Sequence, residues 1–168
     1  MLTHIVFLRK VVWMKQVGRW NGLKKIERMK IEEIQDEIVD EFAMFDDWMH
    51  RYEYMIELGK SLPLIDERYK TDDNIIKGCQ SKVWVHAELE DEKLVFTADS
   101  DAIITKGIIA ILIRAFNNQS PQDIIEADTK FIDEIGLKEH LSPNRANGLV
   151  SMIKQLKLYA VAYRTQLN

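Results

Sequence analysis

The chain has 168 residues, 46% of them hydrophobic and 30% charged, with a formal net charge of -4. That length suits one domain with a sizeable core, and the composition excludes a disordered chain. The negative balance gives no basis for nucleic-acid binding, and the single cysteine, Cys79, excludes an internal disulfide and a cysteine-rich metal site.

The charge is unevenly placed. Residues 1–28 hold seven Lys or Arg against one acid, Glu27, a net of +6 that leaves -10 on the remainder. Their apolar runs, Ile5 to Leu8 and Val11 to Met14, are separated by Arg9 and Lys10 and fall well short of the ~20 residues of a membrane span. Two readings stay open for this basic head: an organelle-targeting segment, or an upstream extension with translation starting at Met29. Residues 29–168 are expected to form a single domain.

From Ile31 the apolar residues Ile31, Ile34, Ile38, Phe42 and Phe45 recur at helical spacing, with acids on the other faces. Asp46 and Asp47 interrupt the pattern and can cap a second helix from about Trp48 to Lys60, ended by Gly59 and Pro63. Asp66 to Asn74 reads as a solvated connection. The alternation of Lys82 to Glu90 predicts a strand with Val83, Val85, Ala87 and Leu89 on one face and Trp84 and His86 on the other. Asp91-Glu92 make the turn to a partner strand, Lys93 to Ala98. The bulk of Trp84 implies that its face is covered.

Ser100 and Asp101 open a helix from Ala102 to Phe116 that is apolar on much of its circumference, and so the central buried helix. Ser120-Pro121 and Ser142-Pro143 are helix starts, the second leading a final helix of about 143–164. Helices, a hairpin, then helices make an α+β fold with an antiparallel sheet.

The chemistry-bearing motifs are few. The seven glycines are scattered, so there is no nucleotide loop. There is no metal-ligand spacing of His or Cys. Asp99 and Asp101 flank Ser100, where helix capping outweighs acid–base work. Cys79 stands between a polar stretch and the first strand. A lone cysteine is ordinarily a small buried hydrophobe. Here Gly78 frees the backbone, and Lys77 and Lys82 supply charge that favours a thiolate. From residues alone Cys79 is a reactive thiol of open role: a carrier, a hydrolase nucleophile needing a histidine, or packing in a non-covalent module.

The run Ile76-Lys-Gly-Cys-Gln-Ser-Lys-Val-Trp84 resembles the SufE family of sulfur acceptors, partners of cysteine desulfurases. Three further runs agree in order: Tyr54-Met-Ile-Glu-Leu-Gly-Lys-Ser-Leu-Pro63, Ala98-Asp-Ser-Asp-Ala102 with Lys106-Gly107, and Leu141-Ser-Pro-Asn-Arg-Ala-Asn-Gly-Leu149. The resemblance covers about residues 31–165. It implies a fold shared with the scaffold protein IscU, with about three strands, the third a short one near Asn74 to Ile76. A single cysteine resembles a carrier and not a scaffold.

The resemblance further implies that Cys79 is the persulfide-carrying nucleophile, sheltered at rest against apolar groups such as Ile75 or Ile76. Arg145 would support the thiolate or persulfide, or dock the partner, unless it is an ordinary exposed arginine of a helix's first turn. Asp101 would support the loop, and Gly78, Gln80 and Ser81 would shape it, the last two by backbone hydrogen bonds. The implied partners are a SufS-type desulfurase, which carries pyridoxal phosphate, and a SufBCD-type scaffold as recipient. No cofactor or metal is implied for this chain, and a cytoplasmic location is expected.

Overall fold

A computed structural model describes residues 29–167; the basic head at 1–28 lies outside the described residues. Helices α1 (Ile31–Ala43) and α2 (Trp48–Lys60) lead through 3-10 turns at Glu67–Tyr69 and Asp72–Asn74 to β1 (Val83–Glu90) and β2 (Lys93–Ser100). Then follow α3 (Ile103–Phe116), the short α4 (Pro121–Glu126), α5 (Lys130–Glu134) and α6 (Leu137–His140), and the long α7 (Pro143–Leu167). The α+β class expected from the periodicity is the class observed. No described helix is long and apolar enough to cross a membrane.

Helix starts follow local chemistry. Asp47 accepts the His50 N–H at 3.0 Å to cap α2, and Ser120 Oγ accepts the Asp123 N–H at 3.1 Å to cap α4. The α3 start differs from expectation. Its N-cap is Ala102, and neither neighbouring acid caps it. Asp99 instead meets Lys70 at 2.8 Å and Lys106 at 2.9 Å, while the Ser100 hydroxyl accepts the Ala102 N–H at 3.3 Å. Partial burial pushes Asp99 up, but hydrogen bonds from Lys70 and Lys106 outweigh it and hold the carboxyl below the usual range.

Helix α3 is the centre of the core. Ile108, Ile109, Ile111, Leu112, Ile113 and Phe116 are all fully buried, each contributing about 1.5–3 kcal/mol relative to exposure. Its closest neighbour is α2. A Cβ on Gly107 would stand 2.5 Å from the Met55 carbonyl oxygen, and one on Gly59 3.0 Å from the Gly107 nitrogen. Gly59 thus lies inside α2 at this close crossing and does not end the helix. At the outer flank of the same pair, Arg114 forks onto Glu41, with Nη2 to Oε1 at 2.8 Å, and the Tyr54 hydroxyl donates to the same carboxylate.

The hairpin pairs Val83 with Ser100 through Glu90 with Lys93, and its turn residues Asp91 and Glu92 both take positive φ (47° and 62°), as a two-residue hairpin turn requires. Val83, Val85 and Ala87 face the core as expected. The expected third strand is absent among the described residues. Ile75 forms only an isolated bridge with Trp84, and the Ile76 N–H reaches the Val83 carbonyl at 2.8 Å. Both edges of the two-stranded sheet are covered piecemeal instead. Along β1, the Tyr159 and Tyr163 hydroxyls donate to the Val85 and Ala87 carbonyls at 3.1 and 2.7 Å. Along β2, Pro63, Ile65, Asn118 and Gln119 bond through their backbones and Asn117 through its side-chain oxygen. The outer face is also covered: Tyr69 stacks on His86 at 3.7 Å, and the Lys70 ammonium lies 5.8 Å from the Trp84 ring centre.

Candidate functional site

Cys79 sits on the loop between the second 3-10 turn and β1, as the sequence indicated. Gly78 holds φ at +94°, a region closed to ordinary side chains. A Cβ there would also come within 2.5 Å of Ser151 Oγ on α7. This glycine lets the loop lie directly against α7. The loop's far end is fastened by Asp101, whose Oδ1 accepts the Lys82 N–H at 3.0 Å while its own N–H donates to the Lys82 carbonyl at 3.3 Å. The Ser100 hydroxyl donates to that same carbonyl at 2.8 Å. Asp101 therefore stands at the loop's exit, bonded to backbone and away from the thiol.

The Cys79 side chain is half-buried and packs against the core. Its thiol lies 3.6 Å from the Gly148 carbonyl oxygen, to which it donates. Beside it is a cavity of about 270 Å³ lined by Cys79, Gln80, Ser81, Thr105, Ile108, Asn144, Arg145, Gly148 and Met152. Three elements meet here: the loop, the start of α3 and the first turns of α7. Asn144 Nδ2 donates to Gln80 Oε1 at 3.4 Å, and Thr105 Oγ1 to Ser81 Oγ at 3.5 Å. Gln80 and Ser81 thus hold the loop to α7 and α3 through side chains, where backbone hydrogen bonds were expected. Arg145 is exposed in the first turn of α7 and borders the cavity, so residues 66 positions apart in sequence share one site.

The apolar groups bordering the cavity are Ile108 and Met152, and Cys79 packs against the buried cluster that includes Ile76. One expectation is corrected: the thiolate is not favoured at rest, because burial pushes the Cys79 thiol up. Lys77 and Lys82 are exposed, where solvent screens their charge. The seated cysteine is a protonated thiol donating to a carbonyl. Of the residues lining the cavity, Thr105, Ile108, Asn144, Gly148 and Met152 were not anticipated as site residues. Only Gly148 carried a signal, because a glycine inside a helix costs about 1 kcal/mol relative to alanine and asks for a reason.

The described histidines are engaged elsewhere. His50 meets Asp47 at 2.6 Å, His86 meets Glu88 at 3.0 Å, and His140 stacks on Trp48 at 3.7 Å. None of them lines the cavity. Among the described residues no group of three His, Cys, Asp or Glu is placed to hold a metal ion.

Comparison with known proteins bears on this geometry. The sequence pattern of the family described as SufE, Fe-S metabolism associated domain, matches residues 36–160. An uncharacterized SufE-like protein of Rhizobium meliloti is 46% identical over 127 residues, covering 73% of this chain and 91% of that one. Uncharacterized SufE-like proteins of Rhizobium etli and Synechocystis are 39% and 38% identical, with 86% and 80% of their lengths covered. Among solved structures, the solution structure of a hypothetical protein from Thermus thermophilus matches with a TM-score of 0.67 at 20% identity. It covers 79% of this chain and 96% of that one, a likeness of fold alone. The matched span contains the Cys79 loop, the hairpin, α3 and the first turns of α7, and on these grounds the chain belongs to the SufE family.

Proposed function

We propose that this chain accepts sulfur from the persulfide of a pyridoxal-phosphate cysteine desulfurase onto Cys79, accelerates that enzyme, and hands the sulfur on toward iron–sulfur cluster assembly. The observation that carries the reading is the seat of the only cysteine. In a SufE-family chain it lies on a glycine-flexed loop, half-buried beside a cavity bordered by Arg145.

The chemistry balances without an outside oxidant. The Cys79 thiolate attacks the terminal sulfur of the donor persulfide. A new S–S bond forms on Cys79, the donor's S–S bond breaks, and the donor cysteine leaves as its thiolate. An ordinary thiol with a pKa of about 8.5 is only a few per cent ionised near pH 7, and burial lowers that fraction further for Cys79. Transfer therefore requires the thiol to leave the Gly148 carbonyl and meet a more polar, cationic setting. Arg145, which borders the same cavity, supplies such a cation in this reading. Docking of the desulfurase supplies the differential binding that shifts the loop outward.

The rival reading, a thiol hydrolase, needs a histidine at Cys79, and the described histidines are committed elsewhere. The test is incubation with a cysteine desulfurase and free cysteine. The expected result is faster desulfurase turnover and a Cys79 peptide heavier by one sulfur atom. Cys79→Ser retains the fold and gains no sulfur; sulfur on that variant, or an unstimulated desulfurase, overturns the proposal.

A further inference from the structure

Gly148 stands in the interior of α7, one turn beyond Arg145, with its carbonyl already taken up by the Cys79 thiol. The position its side chain would take faces the cysteine. An alanine Cβ there would lie 3.4 Å from Cys79 Sγ, 3.7 Å from its Cα and 3.8 Å from its Cβ. Those are ordinary contact distances for a reduced thiol. They are not ordinary for a persulfide, whose outer sulfur projects about 2.05 Å beyond Sγ and, on this side, would run into the added methyl.

We propose that Gly148 is a positioning residue that keeps open the berth for the outer sulfur of a Cys79 persulfide. The proposal rests on the sulfur-acceptor reading above, because only a loaded cysteine needs the space. On this proposal the seated thiol tolerates glycine or alanine at 148, whereas the outer sulfur takes the space that an alanine methyl would fill. Gln80, Ser81, Thr105 and Asn144 form the polar wall of the same cavity, with Asn144 donating to Gln80 and Thr105 to Ser81. Gly78 offers no comparable discrimination. Its φ of +94° and the 2.5 Å approach to Ser151 Oγ mean that any side chain there displaces the loop in both states.

The test uses Gly148→Ala, which improves helix propensity and so puts the fold at no risk. The persulfide is made without a desulfurase. Cys79 is first converted to a mixed disulfide by exchange with a symmetrical aryl disulfide, which releases one aryl thiol. Hydrosulfide then attacks Sγ, and the aryl thiolate departs. Two rates are compared in wild type and variant: alkylation of the reduced thiol by iodoacetamide, and removal of the outer sulfur by cyanide, which leaves the Cys79 thiolate and thiocyanate. The alkylation rates should agree within about twofold, whereas cyanide should strip the variant about tenfold faster, the factor that corresponds to 1.4 kcal/mol. Equal cyanide rates, or equal acceleration of both reactions, overturn the role assigned to Gly148. Because loading is chemical, a failure of desulfurase stimulation overturns the sulfur-acceptor reading separately.

Discussion

Two polar regions flank the central helix, and they are held in opposite ways. At one, Arg114 and Glu41, 73 residues apart in sequence, form a bidentate ion pair to which Tyr54 donates as well. Their side chains are only 20% and 17% exposed. At the other, the Cys79 loop leans on α7 and α3 through contacts of 3.4 to 3.6 Å. Charge-assisted forks in a partly dry setting are strong, and long bonds between neutral groups are weak. The difference is one of local opening: the corner comes apart only with the fold, while the loop opens at a much smaller cost.

The comparison breaks most visibly at the ion pair. Arg114→Met leaves the partly buried Glu41 carboxylate with the Tyr54 hydroxyl but without its cation, and urea unfolding should show a loss of about 3 kcal/mol. A loss below about 1 kcal/mol would remove the corner from the list of stabilising features. Gly78→Ala ranks next. Forcing a side chain into its φ costs about 1–3 kcal/mol, and the displaced loop should make Cys79 react faster with iodoacetamide; unchanged labelling would mean that the loop is not the seat.

Asp101→Ala removes the acceptor for the Lys82 N–H, for about 1 kcal/mol. Its signature is faster Cys79 labelling with a smaller loss in unfolding than Arg114→Met gives. The smallest effect concerns pH. With its pKa raised by burial, Cys79 in the folded chain should be alkylated with a midpoint above that of the same residue in urea. The sign for stability follows: the contribution is complete below the unfolded thiol's pKa and fades as pH climbs through the folded one. Coincident midpoints would show that the thiol is not seated.

Much of this was legible in the chain. The periodicities of Ile31 to Phe42 and Val83 to Leu89, and the Ser120-Pro121 start, report local physics, and the structure follows them. The four ordered runs located the loop and brought Arg145 to it. What escaped depends on distant partners. The Glu41–Arg114 pair has no local signal. The third strand was a reasonable expectation from Asn74 to Ile76, but side chains and turns satisfy the sheet's edges instead. The lysines beside Cys79 were close in sequence yet point to solvent, so burial decides the state of the thiol. Gly148 needed the helix drawn before its bare Cα acquired a meaning.

The tyrosine hydroxyls on β1 have a consequence for assembly. An open strand edge is a template for any extended segment that comes near, whether a misfolded copy or a partner. By occupying the Val85 and Ala87 carbonyls, Tyr159 and Tyr163 take the acceptors that an added strand would need. Recruitment by strand addition is thereby discouraged on the very element that follows the cysteine loop. A partner that approaches this side is left the loop and the helix ends around it, and the covered edge also guards the hairpin against edge-to-edge aggregation.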